Sequence, residues 1–139
     1  MSVSQISVFL ESQPGHLCRV LNLFESANVS VRGYCASDTG DYGIVRFIVD
    51  NPDSALEVLK NAGLAVTVVD MLCLKLEDKP GELARVAGVI AECGINVTYS
   101  YSLISTYVAL RVGDIAAAEK LLSEKPIVFL TQDELRKPL

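Results

Sequence analysis

The chain carries one pattern twice. Residues 13–35 and 79–101, offset by 66, share Pro14/Pro80, Gly15/Gly81, Leu17/Leu83, Arg19/Arg85, Val20/Val86 and Val31/Val97. Six identities in 23 positions are modest, but further pairs are conservative: Leu23 with Val89, Phe24 with Ile90, Val29 with Ile95. A repeat constrains a fold more than any single motif, because each copy has to be a supersecondary unit of the same kind.

The order of periodicities repeats with it. Ile6, Val8 and Leu10 alternate with Ser7, Phe9 and Glu11, as on a half-buried strand. Leu17, Val20, Leu21 and Phe24 then recur at i, i+3, i+4 and i+7, one face of a helix. Alternation restarts at Val29 and Val31 and resumes at Val45, Phe47 and Val49, across turn chemistry at residues 38–43, so 29–37 and 44–49 read as a hairpin. Asn51-Pro52-Asp53 opens a second helix carrying Ala55, Val58, Leu59 and Ala62; Gly63 closes it, and Leu64 to Val69 is a last strand. Leu72, Leu74 and Leu76 begin the series again. Leu83, Val86, Ala87 and Ile90 sit at helical spacing, and Gly94 stops that helix. Ile95, Val97, Tyr99 and Tyr101 face Val108, Leu110 and Val112 in a hairpin about three residues shorter than the first. Ile115, Ala118, Leu121 and Leu122 make the fourth helix, Pro126 breaks it, and Ile127 to Leu130 closes as a strand.

The order is βαββαβ, twice. A helix with one apolar stripe must bury it, and helices on one face of an antiparallel sheet do so. The fold class expected is α+β: two tandem ferredoxin-like sandwiches, residues 1–69 and 70–139, with antiparallel sheets and helices on one face. The other sheet face of each is left open. Units this small have marginal cores, so side-by-side pairing is expected. The join near Asp70 has no Gly, Pro or Ser-rich spacer and is expected to be rigid. Residues 131–139 read as a frayed tail.

Charge removes one class of function. The net charge is −5, whereas phosphate neutralisation needs a basic face, so no nucleic-acid partner is expected. The most apolar run, Leu64 to Leu76, is interrupted by Thr67, Asp70 and Lys75 and is too short to cross a bilayer. MSVSQISVFLES lacks the basic and apolar regions of a signal peptide, so a cytoplasmic location with no membrane attachment is expected. Cys18, Cys35, Cys73 and Cys93 form no CxxC and His16 is the only histidine, which argues against a metal site and for four buried or half-buried thiols. The chain has no Walker or dinucleotide loop and no GxSxG, so neither a cofactor nor a catalytic residue is expected. A small ferredoxin-like enzyme is the alternative, and it would have to use His16.

Candidate functional residues lie where the first strand of each copy turns into its first helix: Ser12, Gln13, Pro14, Gly15, His16 and Leu17, then Asp78, Lys79, Pro80, Gly81, Glu82 and Leu83. Proline suits the first helical turn, where its missing N–H costs nothing. Glycine beside it lets a ligand approach the backbone. The partial positive charge of the helix N-terminus favours a carboxylate or phosphate there. A plain tight turn is the competing explanation. Ser12 and Asp78 are placed either to cap the helix or to meet a ligand. Arg19 and Arg85 lie off the apolar stripes and are read as solvated or in a salt bridge between the units. Tyr99, Tyr101 and Tyr107 suit half-buried strand positions or an interface patch.

Strand, Pro-Gly, Leu, helix, then GINV at 94–97 or the looser ANVSV at 27–31, resembles the ACT domain, the small amino-acid-sensing regulatory module. The resemblance covers both halves. It implies modules paired sheet to sheet, a free amino acid held between them, and a homodimer. It also places the site on the two loops named above and at the start of the second strand of each copy, at Ser30 and Asn96. Backbone N–H groups near Gly15 and Gly81 would take the ligand's carboxylate, and Asp78 or Asn96 would accept from its ammonium group. Serine-binding members carry a histidine and an asparagine ahead of Pro-Gly; this chain has Leu10 and Ser12 in one copy, Leu76 and Asp78 in the other. The function implied is non-catalytic sensing, coupled to self-association or to an enzyme of amino-acid metabolism. ISVFLES, 6–12, is similar to the small regulatory subunit of acetolactate synthase, which is the alternative partner arrangement.

Overall fold

A computed structural model describes residues 2–38, 40 and 42–139. The first copy runs β1 (Val3–Glu11), α1 (His16–Ser26), β2 (Val31–Asp38), β3 (Tyr42–Val49) and α2 (Pro52–Asn61) into β4 (Ala65–Lys75). The second runs from β4 through α3 (Glu82–Glu92), β5 (Val97–Ser102), β6 (Tyr107–Val112) and α4 (Ile115–Leu122) to β7 (Val128–Phe129). The two copies are tandem ferredoxin-like units of mixed α+β structure, as expected. The turn expected at 38–43 includes Thr39 and Asp41, which lie outside the described residues.

The copies share a strand. Ala65 to Met71 of β4 pair with β1, closing the first copy, and Leu72 to Lys75 pair with β6, opening the second. The result is one antiparallel sheet in the order β2-β3-β1-β4-β6-β5, with β7 also on β4. All four helices lie on its outer face. Ile6, Val8, Leu10, Phe47, Val20 and Phe24 form the core under α1 and α2. Leu72, Leu74, Val86, Ile90, Leu110 and Leu122 form the matching core under α3 and α4. Register confirms the shorter second hairpin. Ile6 faces Phe47 while Leu72, one repeat later, faces Leu110, three residues sooner than the offset of 66 would place it.

The sheet faces expected to stay open do not. The sheet curls until its two edges meet, Gly33 of β2 bridging Leu103 just beyond β5, with Ile104 N donating to Arg32 O at 2.8 Å. The concave face thus encloses a third core of Val3, Ile48, Met71, Cys73, Leu103, Ala109, Leu130 and Leu135. Gln5 lies fully buried among them, its Nε2 donating to Tyr99 Oη at 2.9 Å and its Oε1 accepting from Tyr101 Oη at 2.8 Å. Arg46 stacks over the Tyr99 ring, 4.4 Å from its centroid. Burial raises the Tyr101 phenol and pushes the Cys73 thiol up to about 12, so neither ionises near neutrality.

Two other expectations change. Residues 131–139 are not frayed. They carry a 3-10 turn, Glu134–Arg136, and bury Leu135 completely. Cys18 is exposed, whereas Cys35 and Cys93 are half-buried and Cys73 buried; all four are free thiols.

Gly33 is the contact that lets the edges close. A Cβ there would stand 2.2 Å from Leu103 Cδ2 and 3.1 Å from Leu103 Cα. The leucine tip can rotate but the backbone cannot, so Gly33→Ala should destabilise by about 1–3 kcal/mol, the range for overpacking. Urea unfolding measures it, and adding Leu103→Ala should not restore the loss fully, because the backbone contact stays.

Candidate functional site

The two Pro-Gly loops have the same backbone. Gln13 to His16 and Lys79 to Glu82 are type II turns, with proline at the second position and Gly15 (φ 89, ψ −14) or Gly81 (φ 82, ψ −3) at the third. His16 N reaches Gln13 O at 3.4 Å and Glu82 N reaches Lys79 O at 3.4 Å. Positive φ is what requires glycine: a Cβ at either position would meet nothing within 4 Å. Proline thus precedes the helix instead of lying in its first turn, because the turn needs a fixed φ one residue ahead of the glycine.

Each glycine is the N-cap of its helix, and neither α1 nor α3 has a side-chain cap. The second helix of each copy differs. Asn51 caps α2 by accepting from Ser54 N at 3.3 Å, and Asp114 caps α4 by accepting from Ala117 N at 3.0 Å. Ser12 and Asp78 therefore do not cap, and they remain exposed.

The residue after each glycine bonds back across the turn, to Glu11 in the first copy and to its repeat mate Glu77 in the second, with opposite polarity. His16 Nδ1 lies 2.7 Å from Glu11 O, and since a carbonyl only accepts, Nδ1 carries the proton. Glu82, one repeat later, is 4% exposed and takes Arg85 Nε at 3.0 Å and Nη2 at 2.6 Å. That bidentate bond, with a further one from the Glu77 backbone, holds the Glu82 carboxyl below its usual range. Its charge already complements the positive end of α3. No acidic residue stands in the first turn of α1. Glu11, which lines the cavity beside α1, and its repeat mate Glu77 stand ahead of the two helices, so the carboxylate that separates the two first turns is Glu82.

Among the described residues, Arg19 and Arg85 form no salt bridge between the units. Arg19 Nη2 donates to Ala62 O at 3.3 Å and Arg85 Nη1 to Pro126 O at 2.6 Å, so each arginine fastens the first helix of its copy to the exit of the second. Lys79 is exposed and paired with Glu77 at 2.7 Å, a contact that raises its ammonium.

Seven of the fourteen predicted site residues line two cavities. Ser12, Gln13, Pro14, His16 and Leu17 line one of about 330 Å³, together with Glu11 at the end of β1, Ala36 and Ser37 from the far end of β2, and residues of β3. Ser30 is not among its walls, and its amide is bound to Asp50 Oδ1 at 2.9 Å. In the second copy, Leu83 and Asn96 do come together, in a larger cavity of about 590 Å³ between α3 and β5. Asp78, Lys79, Pro80 and Gly81 lie exposed in the chain ahead of it and do not line it. Gly15 and Glu82 line neither cavity. Sequence reasoning missed Ser100, Ser102 and Leu110 as walls of the larger cavity. The available signal was the smaller residues of the second copy. Among the described residues, no three or more His, Cys, Asp or Glu side chains are grouped to hold a metal ion, and no helix is long and apolar enough to cross a membrane.

A family model described as an ACT domain pair matches residues 1–137. The solved structure of protein BT0572 from Bacteroides thetaiotaomicron is 30% identical, the match covering 99% of this chain and 98% of that one with a TM-score of 0.92. The ligand-free regulatory subunit of aspartate kinase from Thermus thermophilus shares the fold at 18% identity, over 88% of this chain and 89% of its own, with a TM-score of 0.65. Its counterpart from Thermus flavus does so at 15% identity, over 89% and 92%, with a TM-score of 0.59. No curated protein matches the chain.

Proposed function

The chain belongs to the ACT domain pair family, and from that premise we propose that it is a non-catalytic regulatory protein that binds a free amino acid. The modules are residues 1–69 and 70–139, and the protein works as a cytoplasmic homodimer. The observation that carries this is the contrast between helices. α2 and α4 have side-chain caps, whereas α1 and α3 open on a positive-φ glycine with none. Bare helix starts present N–H donors and a partial positive charge to a carboxylate. Glu82 stands in the first turn of α3, whereas the first turn of α1 has no acidic residue, so a substitution at His16 separates the two corners.

The role proposed for the site is binding, not catalysis. Its output is a change in population: an amino acid that binds one arrangement of the modules more tightly shifts the chain towards it. The shared fold with regulatory subunits of aspartate kinase makes a catalytic chain of amino-acid metabolism the partner to test by co-purification.

Thermal-shift measurement against each common amino acid tests the reading. A ligand at one hundred times its Kd should add about 2.7 kcal/mol of apparent stability. His16→Glu, which gives α1 the residue that α3 already has, should raise Kd at least tenfold if the carboxylate sits at the α1 corner. No shift with any amino acid at millimolar concentration would remove the reading.

A further inference from the structure

The two copies differ most in what fills the space between the first helix and the hairpin. In the first copy Phe24 of α1 meets Phe47 of β3 edge to face, ring centroids 5.0 Å apart at 87°. Tyr34 of β2 lies opposite Phe47 on the same sheet face. One repeat later Phe24 becomes Ile90, and Leu21 becomes Ala87. Register gives the strand equivalents. Phe47 faces Ile6 and Leu110 faces Leu72, so Leu110 stands where Phe47 does. Ser100 faces Leu110 and thus replaces Tyr34. All four exchanges make the second copy smaller. The cavity of about 590 Å³ opens at these positions, with Ala87, Ile90, Ser100 and Leu110 in its walls.

The walls are apolar, with a few uncharged polar groups. Val86 and Ile90 form the floor from α3, and Leu83 stands at the first turn of α3, 58% exposed. Asn96, Ser100 and Ser102 supply an amide and two hydroxyls. Among the described residues, no charged side chain lines the cavity. A pocket of this size, apolar with a few polar groups, is typical of small-ligand sites. It has nothing inside to neutralise a charged side chain, whose burial without a partner is costly.

Resting on the amino-acid-binding role proposed above, we infer that the α3–β5 cavity receives the side chain of an aliphatic or aromatic amino acid, in the space that the first copy fills with buried Phe24 and Phe47 and borders with the larger Leu21 and Tyr34. The ammonium and carboxylate groups stay at the mouth, within reach of water and the Asn96 amide. The first copy is the plugged form of the same architecture, which explains why its predicted loop residues gather instead around a smaller, more polar cavity beside His16.

The test imports the plug. Ile90→Phe with Leu110→Phe rebuilds the aromatic pair, and Ser100→Tyr alone fills the mouth at an exposed strand position where the first copy carries exposed Tyr34. Titration calorimetry would compare leucine, isoleucine and phenylalanine with aspartate, lysine and threonine. Wild type should bind an apolar member of the set, and both variants should bind it at least tenfold more weakly while keeping the wild-type circular dichroism spectrum. Should the double variant fail to fold, Ser100→Tyr decides alone. Binding of only a charged or hydroxylated amino acid, unchanged in Ser100→Tyr, would overturn this assignment and leave the amino-acid-binding role intact. So would plugged variants that sediment as a smaller species without ligand, because the cavity would then be a contact between copies. Wild type that binds none of the six, nor any other common amino acid, would overturn both.

Discussion

Replacing Gln5 by leucine is expected to lower the unfolding free energy by about 2–4 kcal/mol, although it puts an apolar side chain into a fully buried position. Simple transfer arithmetic gives the opposite sign, since burying apolar surface is favourable. The reason lies in what the amide serves. Its Nε2 donates to Tyr99 Oη at 2.9 Å and its Oε1 accepts from Tyr101 Oη at 2.8 Å. Leucine removes both partners at once, and a buried polar group left unsatisfied costs about 1–3 kcal/mol. Both hydroxyls are only half-buried, which places the pair towards the lower end of that range. The three side chains come from β1 and β5, strands of different copies, so the loss falls on the enclosure and not on either helix-covered core. Removing every partner should be far milder. Gln5→Leu with Tyr99→Phe and Tyr101→Phe is expected to recover most of the stability, with a coupling of about 0.5–3 kcal/mol between the sites. Urea unfolding with a constant slope measures it. A stabilised Gln5→Leu single variant would show that the network adds nothing to the fold.

The helix-facing half of this architecture was legible because its signals are local. Ile6, Val8 and Leu10, and again Leu72 and Leu74, alternate as a half-buried strand must, and α1 and α3 carry one apolar stripe each. The concave face was not legible, and the composition of β1 shows why. Val3 is apolar, but Gln5 and Ser7 are polar, a pattern that reads as solvent exposure. All three are buried, because Gln5 is satisfied across the enclosure by Tyr99 and Tyr101, 94 residues or more along the chain, while Ser7 Oγ accepts from Gln5 Nε2 on the same strand. Pairing across such a distance leaves no periodicity in a window of ten or so residues. The shared strand was hidden for a related reason. Asp70 interrupts the apolar run of β4 and looked like a joint, yet it pairs with Ser4 in an unbroken ladder.

At the site, the Pro-Gly pairs located both helix starts, since only the type II turn they form delivers the chain to an uncapped helix. Their side-chain surroundings were harder to foresee. His16 and Glu82 occupy the same slot and bond back to the repeat-matched residues Glu11 and Glu77 with reversed polarity. Repetition of Arg19 and Arg85 suggested a shared charge partner. What the two share is a backbone carbonyl at the exit of the second helix, a target without a residue-type signature.

Leu135→Ala should cost about 2–5 kcal/mol, the range for truncating a buried leucine in a packed core. A frayed tail would give less than about 0.5 kcal/mol, so the two pictures are well separated. Leu135 is 0% exposed and packs in the concave core with Val3, Met71 and Leu130. Its carbonyl accepts from Arg32 Nε at 2.9 Å, and nearby Gln132 accepts from Ser4 N at 3.1 Å and donates to Val49 O at 3.2 Å. Each of those partners belongs to the first copy, on β1, β2 and β3. The tail therefore belongs to the second copy by sequence and to the first by contact, and it holds the two together as the Gly33–Leu103 bridge does from the other side. Removing residues 131–139 should destabilise more than Leu135→Ala, because the Gln132 and Arg32 bonds go too. The same placement bears on regulation. If ligand binding changes how the copies sit against each other, hydrogen exchange at Ser4 and Ile104, whose amides bond across the join, should respond before exchange under α1 or α3. Uniform protection across all of these amides on adding an amino acid would instead mean that the enclosed sheet moves as one body and that the signal is passed entirely between chains.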